Sequence, residues 1–348
     1  MKILITGCLG NVGRIACQGF LEAGHQVVGM DIRETCPIEG VEYHNSSVLD
    51  YEVLKTAMTG CDTVLHLAAY GHPFMAREQV VFDLNVRGTF HVFKACQELG
   101  IRRLTVASSI NAIGYNFGIR VADMDHLPVS TDHPLYTTDI YSFSKENIEM
   151  MGQYFYRRYG ISSVFMRFGL DFPYSIEEWM ENEQFVGDVR ALHKLLKELM
   201  ALPPKEAARE VRRIENEMDA SRERSFGIPY DNDTEYVYAQ FTNDQRIWSY
   251  YIHNFAMFLD RRDMAKAFLC SATSEFEGSH PVYIADHKNM LGIPTAQIAE
   301  LCYPGAAVHY DLLPGYTSLV DTRAAEELIG FRAEHSFEDY YQHLFGEE

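Results

Sequence analysis

The chain is short of positive charge, of long apolar runs and of paired cysteines, and each shortage removes a class of function. Across 348 residues, 30 Lys and Arg stand against 49 Asp and Glu, a formal net charge of −19. Nucleic acid and anionic membrane surfaces are bound through clustered cations, so neither partner is expected. Apolar stretches such as residues 65–70 fall well below the roughly 20 residues of a membrane-spanning helix. The apolar start at residues 1–7 runs into a glycine turn too soon for the core of an export signal. Seven cysteines (Cys8, Cys17, Cys36, Cys61, Cys96, Cys270 and Cys302) form an odd, scattered set without a C-x-x-C pair. That pattern predicts a reduced, cytoplasmic protein with no metal site. Apolar material is plentiful, at 47% hydrophobic and 13% aromatic residues, enough for one large core or two smaller ones.

In the first half, aliphatic and β-branched runs at residues 2–6, 26–30, 63–67, 103–107 and 163–166 alternate with helical spacing at 11–23, 83–99 and 140–159. Such alternation predicts an α/β fold: a doubly wound parallel-sheet Rossmann domain over residues 1–170, joined to a smaller, mainly helical substrate domain. Composition changes after Phe172. Residues 171–245 read as a substrate-domain insert containing a helical hairpin at 188–224. Its arms carry Val189, Leu192, Leu196 and Leu199, then Val211, Ile214 and Met218, with Pro203-Pro204 between them. The hairpin is either a packing or oligomer element or a substrate lid. Strands at 257–259 and 282–285 are expected to return to the Rossmann core within 246–290. Helices at 295–301 and 322–329 would then build a C-terminal substrate segment over 291–348.

The first strand leads into Thr6-Gly7-Cys8-Leu9-Gly10-Asn11-Val12-Gly13. Backbone amides at a helix N-terminus can face a pyrophosphate if no Cβ holds the phosphate away. Gly7 permits the turn, Gly10 the close approach and Gly13 the packing of helix on strand, with Asn11 and Val12 opening the helix. Asp31, with Ile32 beside it, lies 18 residues beyond Gly13 at the end of the second strand. A carboxylate there accepts from both hydroxyls of an adenosine ribose and repels a 2′-phosphate, so NAD is the expected cofactor, although Arg33 leaves some room for NADP.

Tyr141 and Lys145 are four apart and share one face of the helix at 140–159. A tyrosine with a pKa near ~10 is a poor base until a neighbouring cation favours its phenolate. The strand before it ends in Ser108-Ser109. Together with His66-Leu67-Ala68-Ala69, Asn85-Val86-Arg87-Gly88-Thr89 and Arg167-Phe168, these segments resemble the extended short-chain dehydrogenase/reductases, the NAD-dependent epimerase/dehydratase superfamily. Segments 262–267 and 321–331 also resemble it, so the likeness spans nearly the whole chain.

The resemblance implies Ser109, Tyr141 and Lys145 as catalytic residues: Ser109 bonds the substrate oxygen, Tyr141 is the acid/base, and Lys145 binds the nicotinamide ribose and tunes the tyrosine. It places Leu67, Ala68, Ala69, Asn85, Ser108 and Phe168 beside the cofactor, and Ser47 and Val48 at the adenine, where the family's usual aspartate is missing. Asp50 reads instead as a helix cap. A dimer built on the helices at 83 and 140 is implied as well, with Phe82, Phe90, Phe93, Met150, Met151 and Tyr154 as candidate contacts that fit a core equally well.

Ile110-Asn111-Ala112 after Ser109 carries no acid, against a sugar dehydratase, and Arg167-Phe168-Gly169-Leu170-Asp171 lacks the asparagine usual in nucleotide-sugar epimerases. The segment from Ser108 to Tyr115 is similar to that of uronate dehydrogenases, which are shorter and lack an insert such as 188–224. The leading expectation is therefore an NAD-dependent oxidoreductase acting on a hydroxyl of a free sugar or uronate. A nucleotide-sugar epimerase is the alternative and a non-catalytic NAD-binding module the third. His72, Asn111 and Arg167 join Ser109 as candidate substrate contacts, Arg167 being equally suited to a structural ion pair; Tyr115, Trp179 and Trp248 could pack over a ring or in the core. The irregular stretch 115–138 is expected to enclose substrate. Residues 1–170 hold 14 basic and 17 acidic residues and the hairpin 9 and 8. The acid excess thus lies in the rest of the substrate half, which disfavours a doubly anionic nucleotide sugar.

Overall fold

The computed structural model describes residues 1–118, 120–169, 174–225 and 241–346. Leu170, Asp171 and Phe172 of the segments above, with 226–240 of the insert, lie outside them.

β1 (Lys2–Thr6) pairs in parallel with β2 (Gln26–Asp31) on one side and β4 (Thr63–His66) on the other. Outward from β2 lies β3 (Val41–Asn45), which apolar patterning did not reveal because its side chains are half-buried at best. Outward from β4 follow β5 (Arg103–Ser109), β7 (Ser162–Phe168) and β8 (Ser279–Tyr283), completing a seven-stranded sheet of order β3-β2-β1-β4-β5-β7-β8. The order reverses between β1 and β4, and ligands of such sheets bind beyond the strand C-termini at that point.

Strand alternation sends Leu4, Val28, Val64, Leu104 and Phe165 to one face. There they pack with Leu54 of α2 (Tyr51–Met58), Phe93 of α4 (Gly88–Leu99) and Phe155 of α5 (Ile140–Tyr159). The other face sends Ile3, Ile5, Leu65 and Met166 against Phe20 of α1 (Asn11–Glu22), into an apolar core continuous with the second half. The helix expected over 83–99 is interrupted. A short α3 (Glu78–Phe82) runs into one π turn at Asp83–Arg87 before α4 begins. Asn85 in that turn turns inward, accepting from Tyr70 N at 2.8 Å and donating to Ser144 Oγ at 3.0 Å, and π turns often mark such functional insertions.

The stretch 115–138 is irregular in its described residues except for β6 (His126–Leu127), which pairs with β9 (Ala307–Val308). After β7 come α6 (Ile176–Met180), α7 (Glu183–Ala201) and α8 (Pro204–Ser225), the last two forming a hairpin. The named apolar residues of both arms are buried in the common core. α9 (Asn243–Tyr251) packs on α7, whereas α10 (Arg261–Thr273) returns to α1. The expected strand at residues 257–259 does not form. Phe255 and Ala256 turn the chain through positive φ of 57° and 46°, and Met257, Phe258 and Leu259 then run buried without a ladder partner. Their apolar pattern reflects burial, not pairing. α11 (Thr295–Cys302), α12 (Arg323–Ile329) and α13 (Tyr341–Phe345) complete the chain. Among the described residues no helix is long and apolar enough to cross a membrane.

Candidate active site

The glycine turn is built by contact. A Cβ on Gly13 would lie 2.1 Å from Gly7 O, and one on Gly7, at φ +68°, would lie 2.8 Å from Ala68 N. Both glycines are required by the protein itself. A Cβ on Gly10 would meet nothing nearer than 3.4 Å, so what excludes it must approach from the open side. α1 starts on Gly10 with neither a side-chain cap nor a carboxylate in its first turn, which suits an anion at that N-terminus. At the end of β2, Asp31 accepts from Leu9 N at 3.0 Å and Arg33 N at 3.2 Å, fixing its carboxylate beside the loop. Arg33 is drawn onto Leu9 O, with Ile32 exposed between them. Val48 is buried against Gly88, and Ser47 turns the chain into the α2 cap, where Asp50 accepts from Val53 N. These residues fit a dinucleotide whose pyrophosphate lies on the loop and whose ribose meets Asp31.

Leu67 N and Ala68 N each donate to Thr6 Oγ at 3.2 Å, joining the end of β4 to β1. His66 sits beneath. Thr89 Oγ donates to Asn85 O at 2.6 Å, so it accepts from His66 Nε2–H, leaving Nδ1 to accept from Thr6 Oγ at 2.7 Å. Burial, with Lys145 nearby, lowers the His66 pKa to about 3, which keeps it a neutral linker.

Ser109 ends β5 and Tyr141 opens α5, whose first turn is capped by Asp139 accepting from Ser142 N at 2.9 Å. Lys145, one turn on, donates to Ala107 O at 2.7 Å and lies 5.6 Å from the Tyr141 ring centroid. That bond holds the helix to the strand that carries Ser109 two residues later. Burial lowers the lysine pKa to about 8, with Glu149 opposing the shift. Ser109 Oγ accepts from Asn111 N at 3.1 Å and Asn111 Nδ2 at 3.4 Å, leaving its own proton free to be donated. Asn111 Oδ1 is buried without a partner, an acceptor beside the serine. Phe168 pairs with Ser109 across the β5–β7 ladder.

Two of the candidate substrate contacts part company here. His72, half-buried, has an unpartnered Nδ1, and burial depresses its pKa. Arg167 is not available to a substrate: it is buried and grips Glu149 through Nε to Oε1 (3.0 Å) and Nη2 to Oε2 (2.8 Å), with Nη1 on Tyr283 Oη at 3.0 Å. Ser108 donates to the same Glu149 at 2.6 Å and so faces this pair. Glu149 was missed from the sequence, although its place four residues after Lys145 puts it on the face of α5 that carries Tyr141 and Lys145. Tyr115 and Trp248 are core residues, Tyr115 stacked on Phe255 at 5.1 Å. Trp179 lines a cavity of about 560 Å³ together with His72 and Phe117, whose ring stands edge-on to Tyr141 at 5.8 Å. No group of three or more His, Cys, Asp or Glu among the described residues could hold a metal ion.

A nucleotide-binding sheet with a Ser-Tyr-Lys cluster at the ends of β5 and α5 defines a class of cofactor-dependent enzymes, and the relatives agree with it. Residues 3–172 match the NAD dependent epimerase/dehydratase family. L-arabinose 1-dehydrogenase (NAD(P)(+)) of Haloferax volcanii is 32% identical over 199 residues, covering 55% of this chain and 76% of that protein. The chain belongs to this NAD-dependent family. Uronate dehydrogenase of Pseudomonas syringae pv. tomato is 28% identical over 176 residues; the match covers 49% of this chain and 60% of that enzyme. A solved short-chain dehydrogenase/reductase superfamily protein from Agrobacterium tumefaciens, with bound NAD, shares the fold at TM-score 0.62 and 20% identity over 99% of this chain and 96% of that one. The family match ends at residue 172, before the hairpin.

Proposed function

We propose that the protein is an NAD-dependent dehydrogenase that oxidises a hydroxyl of a free sugar or uronate. The observation that carries this reading is the cluster of Ser109, Tyr141 and Lys145, with the unpartnered Asn111 Oδ1 beside it. The Tyr141 phenolate oxygen takes the hydroxyl proton, favoured by the Lys145 ammonium. Ser109 donates its free proton to the same substrate oxygen, and Asn111 Oδ1 accepts from a neighbouring hydroxyl. Preorganised donors of this kind cost no rearrangement as charge develops. NAD, when bound, supplies the acceptor for the hydride leaving the carbinol carbon. Gly7, Gly10, Asn11, Val12, Gly13, Asp31, Ile32, Ser47, Val48, Leu67, Ala68, Ala69, Asn85 and Phe168 would surround it.

In this reading residues 1–170 with α10 and β8 form the cofactor half, and α6–α9 with 291–346 the substrate half. The protein acts in the cytoplasm, where thiols stay reduced, and all seven cysteines are free here. It works as a homodimer through the α3–α4 and α5 face, where Phe82, Phe90, Met150 and Tyr154 are exposed and Phe82 stacks on Phe143. Phe93 is fully buried and belongs to the core instead.

The test is incubation with NAD and a panel of free sugars and uronates, following NADH absorbance. Stoichiometric NADH is expected. Conversion of a UDP-hexose with no net NADH would establish the epimerase in its place, and NAD binding without turnover of any sugar a non-catalytic module.

A further inference from the structure

The cavity beyond Phe117 is larger and more aromatic than a single sugar ring needs. Its ring faces come from Phe74, Phe117, Trp179, Phe185, Tyr250 and Tyr251. None of its described lining residues belongs to the glycine loop, to Asp31 or to the β4 end, so it lies on the substrate side of Tyr141 and not along the cofactor. Its volume of about 560 Å³ falls in the middle of the range of ~300–1,000 Å³ in which proteins enclose whole organic ligands. Trp179 and Phe185 form one tilted pair at 4.5 Å, and Tyr250 and Tyr251 an edge-to-face pair at 5.0 Å. Aromatic faces of this kind receive the C–H face of a pyranose or a second aromatic ring. Amides stand between them: Asn182, and Asn116, which accepts from Ser249 Oγ at 3.3 Å.

Among the described residues the charge lining the cavity balances. Among the described lining residues the cation is Arg246, tied to Asn243 at 2.7 Å, and the carboxylate is Asp188, which lies within its field. A pyrophosphate takes two or more cations or a free helix N-terminus. The α7 N-terminus beside the cavity is already capped by Asn182 and followed by Glu183. The walls therefore suit a neutral ring, not a nucleoside diphosphate. α6, α7 and α9 supply most of these side chains, and all three follow residue 172, beyond the family match.

We propose that this cavity is a second-ring subsite and that the sugar oxidised carries a second, neutral ring. Its reacting ring meets Ser109 and Tyr141, and its second ring, a sugar or an aryl group, packs between the Trp179–Phe185 and Tyr250–Tyr251 pairs. The proposal rests on the dehydrogenase reading for the reacting ring alone.

The test compares kcat/KM for monosaccharides, neutral disaccharides, phenyl glycosides and a UDP-hexose, and separately titrates tryptophan fluorescence with a phenyl glycoside and with a disaccharide. A two-ring compound of one kind is expected to exceed its parent monosaccharide by about tenfold, the worth of one well-stacked ring, and the arm that does so identifies the second ring. Tyr250→Ala should raise KM for that compound several-fold more than for the monosaccharide. The same compound should quench fluorescence in the native protein and not in Trp179→Phe. Equal use of one-ring and two-ring sugars, absence of the Trp179-dependent quench, or preference for the UDP-hexose would overturn the subsite. Quenching through Trp179 without oxidation of any sugar would overturn the dehydrogenase reading and leave the subsite standing.

Discussion

Arg167 closes a two-pronged ion pair on Glu149, and both side chains are buried, joining β7 to α5 one turn beyond Lys145. The pair has a third and a fourth member in Tyr283, which donates to Ser130 O, and Ser108. It ties three sheet strands (β5, β7 and β8), α5 and the loop after β6 into one block beneath the site. A guanidinium so occupied is a structural clamp, whatever its position in the sequence suggests.

Removing one partner leaves an uncompensated buried charge. Glu149→Leu and Arg167→Leu should each cost about 3–5 kcal/mol of stability, read as a shifted urea midpoint. Because Arg167 does not reach the substrate, any folded Arg167 variant should keep the native ratio of KM values between a uronate and its neutral sugar. A selective loss for the uronate would return Arg167 to the substrate site.

Tyr141→Phe should lower kcat by about 10²–10⁴, the usual worth of positioned acid/base catalysis, while NAD binding changes little. Ser109→Ala should act in the same direction. Single-turnover NADH formation with saturating sugar checks both, and unaltered turnover in Tyr141→Phe would remove the acid/base assignment.

Stability should rise with pH in two windows. His66 has its pKa lowered to about 3 in the fold, against 6.5 when exposed, so the unfolded chain binds the extra proton and stability is lost as pH falls below 6.5 towards 3. Lys145, at about 8 against 10.5, likewise binds its proton more tightly unfolded, so stability rises between those values. Urea midpoints against pH should flatten by one proton below pH 6.5 in His66→Gln and above pH 8 in Lys145→Met.

Asp31→Ala should reduce the preference for NAD over NADP by at least about tenfold, the loss of one charge-assisted hydrogen bond together with relief of repulsion. The ratio of kcat/KM for the two cofactors measures it. The Leu9 and Arg33 amides lose their acceptor in the same variant, so a modest fall in loop stability accompanies the change.

Met150→Glu places a charge in the exposed face proposed for dimerisation, where Met150 is 59% exposed. Sedimentation should show a dimer for the native chain and a monomer for the variant, with the unfolding midpoint of the monomer unit nearly unchanged. A native monomer at micromolar concentration would remove the dimer.

Local signals carried the cofactor half. Strand runs, the glycine turn, Asp31 and the Tyr141–Lys145 spacing are short-range patterns, legible because a parallel strand buried on both faces reads as a continuous apolar run and a helix face imposes a period on neighbouring residues. β3 was not legible because its edge position buries too little, and residues 257–259 misled because burial and strand pairing select the same apolar side chains. The π turn at Asp83–Arg87 leaves no period of its own; it exists because Asn85 bonds Tyr70 and Ser144 across the fold.

By itself the sequence pointed to the class of chemistry: a glycine loop shaped for a dinucleotide, an acidic residue at the end of β2, and a tyrosine one helical turn from a lysine. Only the tertiary structure decided what the remaining polar residues do. Whether Arg167 meets a substrate or Glu149, whether Trp179 or Trp248 lines a cavity, and whether Asn111 has a free acceptor all depend on partners far apart in the chain. Asn111 Oδ1 is buried without a partner, whereas Arg167 follows the rule that a buried polar group takes a partner the fold supplies. That partner is set by packing, which no local spacing encodes.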